Sequence, residues 1–225
     1  MRYQLKLLYA PIKWLSCLMF IMILPIAIYA PTYYDFVNVA TLYLPFIGIV
    51  LFGDISLLAR GSHMEEIVFL ANRKPVKTFI QRYILTVIFS VIYIVLAHVI
   101  FRIYQFINQS YLVEPISFLQ YVLITAGSIF FMGTLTMTVS TLFNNVYISY
   151  GLSVIYWMYW NINCQKESLF NPFPFIANPT FFEIPVSQMY LKTLILLAIN
   201  CFIVRKSPFY LSEKISKFRV RFGKK

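Results

Sequence analysis

Residues 83–101 read YILTVIFSVIYIVLAHVIF and contain no Asp, Glu, Lys or Arg. An apolar run of about 18 or more residues is typical of a helix that crosses the hydrocarbon core of a bilayer. Five more runs of this kind occur along the chain, at residues 14–30, 39–58, 118–143, 146–160 and 189–204. The sequence therefore predicts an all-α, polytopic membrane protein in which residues 1–225 form a single domain with six transmembrane helices.

The composition supports lipid as the solvent of this chain. Hydrophobic residues make up 60% of the 225 residues and charged residues only 12%, whereas soluble domains have about 45–50% apolar and about 25% charged residues. The three cysteines are scattered, at Cys17, Cys164 and Cys201, so they indicate neither a disulfide framework nor a metal pattern. Two histidines and few acids build no usual metal site or nucleophilic triad, and we expect no catalytic residues in this chain.

The positions of the basic residues predict the orientation in the membrane. All of the 19 basic residues except Arg102, Lys166 and Lys192 lie before residue 14, in the loop 59–82 or in the tail 205–225. An excess of Lys and Arg marks cytoplasmic segments, so both termini are expected in the cytoplasm, with the chain in the plasma membrane. The net charge of +11 is then a topology signal rather than a nucleic-acid patch, and the basic tail is expected to contact anionic lipids.

The segment 161–188, before the sixth run, is rich in proline and phenylalanine. It is too apolar for a free loop and too interrupted for one helix. Such sequence at membrane depth is typical of half-helices that pack against a bundle. We therefore predict a re-entrant or interfacial outer segment there.

Ionisable groups within membrane spans are costly, so each of them is a candidate for a functional role. Asp54 lies near the cytoplasmic end of the second run, where it either gates the inner mouth, pairs with Arg60, or is an interfacial acid without such a role. His98 lies near the outer end of the third run, and the two groups form no evident proton relay. Thr134 and Thr138 share one helical face of the fourth run; they either pack against other helices or line a substrate path.

The loop 59–82 carries a pattern of its own. Glu65 and Glu66 precede an apolar group that includes Ile67 and Leu70, basic residues follow, and Pro75 ends the pattern. Acids near the start and bases near the end suit the dipole of a helix. The loop is therefore predicted to hold a short amphipathic helix at 62–72, a turn at 73–77 and a lead-in to the third span. A plain surface helix that joins two spans would show the same composition.

The order of residues in this loop resembles one family, the type-2, exporter-type permease subunits of ABC transporters. In that family the loop after the second span has a Gly, an acidic and apolar helix, a Pro beside a small residue and a base, and a basic start to the third span. The matching positions are Gly61, Glu65, Glu66, Ile67, Leu70, Pro75, Val76, Lys77 and Arg82. The short turn 142–145 and the segment before the sixth span are also similar to the family's. Arg73 and Lys74 make the turn more basic than usual.

The resemblance implies a partner and a division of labour. A separate cytosolic ABC ATPase subunit would bind ATP and Mg²⁺ and push on the coupling loop, and this chain would hold no cofactor itself. The coupling residues would be Glu65, Glu66, Ile67, Leu70, Arg73, Pro75 and Lys77. The sequence agrees in one respect, since its seven glycines form no G-x-x-x-x-G-K-[ST] phosphate loop. A six-span chain also implies a second permease, identical or similar, as its partner.

The function implied is that of a permease subunit of an ATP-driven exporter, which moves an amphipathic peptide, lipid-like compound or antibiotic outward. Two alternatives remain open at this stage. One is an ATP-independent channel or secondary carrier, which predicts more buried charge or a repeated half. The other is a structural or sensory membrane subunit without a transport path.

Overall fold

A computed structural model describes residues 11–27, 32–57, 75–107, 116–178 and 182–205 of the chain. The helices in these residues are α1 (Pro11–Ala27), α2 (Tyr33–Tyr43), α3 (Pro45–Phe52), α4 (Pro75–Ile107), α5 (Phe118–Phe143), α6 (Val146–Ile162), α7 (Pro174–Ala177) and α8 (Glu183–Arg205). The described residues contain no strand. Helices satisfy their own backbone polar groups, which lipid does not do. The predicted all-α fold class is confirmed.

Four helical stretches are long and apolar enough to cross a membrane, namely Tyr33–Phe52, Val76–Ile107, Phe118–Phe143 and Glu183–Arg205. The first of these joins α2 and α3, which are separated only at Leu44, before Pro45. Two helices are shorter, since the described apolar part of α1 is Lys13–Met22 and α6 has 17 residues.

Helix α5 packs against α2, α3, α4, α6 and α8 and is the most buried of the four long stretches. Its neighbours run in both directions. In α4, His98 lies beside Tyr121 near the start of α5, and Tyr83 lies beside Thr134 further along, so α4 is antiparallel to α5. In α8, Tyr190 lies beside Leu123 and Asn200 lies beside Thr138, so α8 runs parallel to α5. These contacts define two ends of the bundle.

We call the end where α2, α5 and α8 begin the Asn171 end, and the end where α5 meets α6 the Asn144 end. At the Asn144 end, Asn144 adopts a left-handed conformation with φ 52°, as Asn tolerates better than most residues. The side-chain oxygen of Asn145 then accepts hydrogen bonds from the Tyr147 and Ile148 N–H groups at 2.9 and 3.2 Å. This cap begins α6 directly after the turn.

Two helices begin at the Asn171 end with the same capping box. In α2, the Thr32 hydroxyl accepts from the Asp35 N–H at 3.1 Å, and Asp35 accepts in return from the Thr32 N–H. In α5, Ser117 and Gln120 make the equivalent pair of bonds at 3.3 and 3.0 Å. These caps explain why both helices start where they do.

Several helix bounds differ from the apolar runs of the sequence. The second run was expected over 39–58, but the helical stretch begins at Tyr33 and ends at Phe52, so Asp54 lies in the turn that follows. The third run is contained in a helix that extends over Pro75–Ile107. Basic residues end a hydropathy window, but Lys and Arg are good helix formers and do not end a helix.

Two glycines allow the backbones of α3 and α5 to approach closely. A Cβ atom on Gly48 would lie 2.5 Å from the Ile129 carbonyl oxygen. A Cβ on Gly133 would lie 2.6 Å from the Phe52 ring and 3.2 Å from the Gly48 carbonyl oxygen. Small residues have this role between membrane helices. We call this contact the glycine interface.

The segment 163–178 folds back onto the bundle at the Asn171 end. The buried Asn171 donates to the Cys164 and Lys166 carbonyl oxygens at 2.8 and 2.9 Å and accepts from the Phe173 N–H at 2.8 Å. The Ser128 hydroxyl of α5 donates to the Pro172 carbonyl oxygen at 2.8 Å. Phe173 is completely buried. One asparagine side chain thus shapes this segment, and one serine fastens it to α5.

Candidate functional site

The sequence-predicted threonines Thr134 and Thr138 are buried between helices. Thr134 lies 3.1 Å from the Tyr83 hydroxyl of α4. The Thr138 hydroxyl accepts from the side-chain amide of Asn200 in α8 at 2.7 Å, and Asn200 also lies 3.1 Å from the Thr141 hydroxyl. These contacts link α4, α5 and α8. Both threonines therefore contact other helices, and their role in a substrate path stays a prediction.

Asp54 pairs with a residue that the sequence did not suggest. Its Oδ2 accepts from the Lys13 ammonium group, which fastens the start of α1 to the turn after α3. Both side chains are mostly buried, at 17% and 19% exposure. Its Oδ1 is buried and has no hydrogen-bond partner among the described atoms. The expected alternative partner, Arg60, lies outside the described residues, and a gating role for Asp54 stays a prediction.

His98 lies at the opposite end of the bundle from Asp54. Its Nδ1 lies 3.3 Å from the Tyr33 hydroxyl of α2, and the Arg102 side chain lies over the Tyr33 ring at 5.1 Å. Next to them, Phe36 and Phe101 stack with ring centroids 4.0 Å apart. The cluster joins α2 to α4, and α5 contributes Tyr121 to it.

An apolar groove runs between α5, α6 and α8 and encloses a cavity of about 590 Å³. Most of its walls are aliphatic or aromatic, and the aliphatic part of the lining consists of Leu135, Val139, Leu152, Leu169, Ile195 and Leu196. Three lining side chains carry polar groups, namely Ser153, Tyr156 and Lys192. We call this cavity the lysine groove. Its volume lies within the range of roughly 300–1,000 Å³ that ligand pockets have.

The polar groups of the lysine groove are arranged at one end and in one wall. The Tyr156 hydroxyl donates to the Phe170 carbonyl oxygen, and the Lys192 ammonium donates to the Leu169 carbonyl oxygen. Both bonds hold the segment 163–178 over the groove. In the wall, the buried Ser153 hydroxyl has no hydrogen-bond partner among the described atoms.

Sequence reasoning did not single out Asn200, Ser153 or Lys192 as site residues. Asn200 and Lys192 carried a signal, because both are strongly polar within the sixth apolar run. Ser153 carried none, since serine is common in membrane helices. Its position in the groove depends on how α6 faces α8.

The predicted coupling residues fall mostly outside the part of the chain that the structure describes. Glu65, Glu66, Ile67, Leu70 and Arg73 lie outside the described residues. Of the others, Pro75 is the first residue of α4, and Lys77 is exposed in the first turn of that helix. Their coupling role stays a prediction.

The described residues show no group of three or more His, Cys, Asp or Glu side chains that could hold a metal ion. The four long apolar helical stretches are those of a helical membrane protein. No protein-family model, no curated protein and no solved structure matches this chain.

Proposed function

We propose that this chain is the permease subunit of an ATP-driven exporter of the type-2 ABC kind. One observation carries the proposal beyond the sequence resemblance. The coupling loop leads directly into α4, a single helix of 33 residues that begins at Pro75. At 1.5 Å per residue it is about 50 Å long, whereas the hydrocarbon core of a bilayer is about 30 Å thick.

Helix α4 has the properties of a lever between the coupling loop and the far side of the membrane. Its charge-free part, 83–101, is about 28 Å long and matches the hydrocarbon core. The turns before it, from Pro75 to Arg82, would then project from the membrane towards the ATPase. Contacts at Tyr83 and His98 join α4 to α5 near the two ends of this charge-free part. A push on the loop would therefore reach the whole bundle.

This function needs six membrane spans. Four of them would be the long apolar stretches, and the other two would be α1 and α6. Helix α6 has 17 residues and is about 25 Å long. It runs from the Asn144 end of the bundle to the segment 163–178 at the Asn171 end. Among the described basic residues, Lys13, Lys77, Arg82 and Arg205 lie at the Asn144 end, where α1 and α4 begin and α8 ends. We therefore place the Asn144 end in the cytoplasm of a bacterial cell.

Of the predicted outer segment 161–188, residues 161–162 belong to α6 and residues 183–188 to α8, so that 163–178 would be the described part of the re-entrant segment. Its bond to Ser128 and its buried Phe173 support this assignment. The ATPase partner would bind ATP and Mg²⁺, and a second permease would complete the path. An apolar, lipid-accessible protein surface suits an amphipathic cargo, which would move outward.

The proposal is tested by co-purification from the membranes of the host cell in mild detergent. We expect the tagged chain to retain a protein that hydrolyses ATP and contains a phosphate loop. The variant Glu66→Lys, which reverses a charge in the coupling loop, should lose most of this partner. The matched control is Glu167→Lys, which makes the same change in the exposed segment at the Asn171 end and should retain it.

The second measurement is ATP hydrolysis by the purified complex in liposomes. Hydrolysis should be weaker with Glu66→Lys and unchanged with Glu167→Lys. If the chain retains no ATPase in any of several detergents, the proposal fails, and ion or solute flux without ATP becomes the measurement for the carrier alternative. Equal loss with both variants would also contradict it, because the loop would then have no special role.

A further inference from the structure

The lysine groove contains a cation in surroundings that disfavour one. Lys192 lies nine residues from the start of α8, which is about 13 Å along the helix axis. Placing a lysine at this depth in a membrane helix costs free energy, so its presence suggests a functional role. Its ammonium group donates to the Leu169 carbonyl oxygen and approaches the Met189 sulfur at 3.7 Å. No carboxylate among the described residues forms an ion pair with it.

The surroundings of Lys192 specify what would complete it. Apart from the polar groups of Ser153, Tyr156 and Lys192, the side chains that line the groove are aliphatic or aromatic. A negative group beside Lys192 would therefore have to be attached to an apolar body that fills the rest of the groove. Such a molecule is an amphiphile with an anionic head.

We propose that the lysine groove binds one membrane lipid with an anionic phosphate head group. The phosphate accepts from the Lys192 ammonium group, which has three N–H donors and gives one to the Leu169 carbonyl oxygen. An acyl chain lies along Leu135, Val139 and Leu152. The buried Ser153 hydroxyl offers a donor in the groove wall that no described atom accepts. This inference does not depend on the proposed export function, since a lipid can be bound in a membrane protein of any activity.

The test uses the full chain in phosphatidylcholine vesicles that contain a small fraction of photoactivatable lipid. The probe carries a diazirine on its acyl chain and has either a phosphatidylglycerol or a phosphatidylcholine head. After irradiation, labelling is quantified by mass spectrometry in the groove peptides and on the outer face of α4. That face exposes Ile84, Ile88 and Ile92 and serves as an internal reference for ordinary lipid contact.

The expected result is a preference for the anionic probe that is confined to the groove. Labelling of the groove by phosphatidylglycerol, relative to phosphatidylcholine, should be about fivefold higher than on the α4 face, which is the effect of one charge contact. Lys192→Gln should reduce the preference to about one, and Lys192→Arg should keep it. Lys166→Gln, which removes an exposed lysine from the same end, is the matched control and should change nothing.

Two further measurements test whether the groove holds a lipid or another molecule. Val139→Phe should reduce groove labelling by both probes, because it fills the acyl-chain part and leaves Lys192 in place. Inorganic phosphate in excess should not compete. The proposal is overturned if Lys192→Gln keeps the preference, if Lys166→Gln loses it equally, or if free phosphate displaces the lipid. Absence of groove labelling by either probe also overturns it, and this is the result expected if a second copy of the chain covers the groove.

Discussion

The two sides of α5 are built in opposite ways. On one side, the glycine interface brings the backbones of α5 and α3 together, and a Cβ on Gly48 would lie only 2.5 Å from the Ile129 carbonyl oxygen. On the other side, α5 borders the lysine groove of about 590 Å³, where α6 and α8 stand apart. In lipid the hydrophobic effect does not press helices together. Close packing therefore has to come from small residues, and where they are missing a groove remains.

The comparison also separates two uses of polar side chains. Beside the glycine interface, polar groups bond to other helices, as Thr134 does with the Tyr83 hydroxyl at 3.1 Å, next to the Phe52 ring. In the lysine groove, Lys192 bonds to a backbone carbonyl oxygen, and the Ser153 hydroxyl has no described partner. We infer that the first region serves stability and the second is available for a ligand.

The largest effect is expected at the glycine interface. Gly48→Ala places a Cβ against the backbone of Ile129, and backbone cannot move aside as a flexible side chain can. We expect a loss of about 2 kcal/mol in the free energy of unfolding, the usual size of overpacking. The measurement is unfolding by SDS in mixed micelles, followed by tryptophan fluorescence.

The control for this prediction is Gly151→Ala on α6. A Cβ there meets no heavy atom within 4 Å, so stability should stay the same or rise slightly through helix propensity. Equal destabilisation by both substitutions would mean that α3 and α5 are not in close contact.

A smaller effect is expected from the polar link between α5 and α8. Asn200→Leu removes the bond to Thr138, and we expect it to cost about 1 kcal/mol, within the range for hydrogen bonds between membrane helices. A double-mutant cycle with Thr138→Val isolates the pair. Its coupling energy should be about the same size. Additive single effects would show that the two side chains do not interact.

The helices themselves could largely be predicted from the sequence, and the reasons are local. The bounds of α5 are those of the fourth apolar run, because Ser117 caps one end and Asn144 turns the chain at the other. The start of α2 was placed six residues late, because the capping box of Thr32 and Asp35 lies in a stretch that hydropathy alone assigns to a loop. Local propensity thus decides the ends of helices where hydropathy does not.

The contacts between helices could not be predicted, because they depend on register and rotation. Lys13 and Asp54 are 41 residues apart, and no local pattern relates them. Gly48 and Gly133 are ordinary small residues until α3 and α5 are placed against each other. The lysine groove likewise exists only through the relative positions of α5, α6 and α8. The charge of Lys192 within an apolar run was the signal for this groove that the sequence offered.

The smallest effect is expected at Ser153, which is as buried as Ser128 but differs from it in its hydrogen-bond partner. Ser128 and Ser153 are each 1% exposed. The Ser128 hydroxyl donates to the Pro172 carbonyl oxygen at 2.8 Å, whereas the Ser153 hydroxyl has no partner among the described atoms. Ser128→Ala should therefore cost about 1 kcal/mol. Ser153→Ala should change the free energy of unfolding by less than about 0.5 kcal/mol, because no bond is lost.

The same SDS unfolding experiment compares the two serine variants in lipid-free detergent and after addition of phosphatidylglycerol. Without lipid, only Ser128→Ala should be destabilised. With lipid, a difference between Ser153→Ala and the native chain would appear if the Ser153 hydroxyl donates to the bound molecule. Equal behaviour of the two variants in detergent would remove the distinction between a packed and an open side of α5, because it would mean that Ser153 already has a partner within the protein.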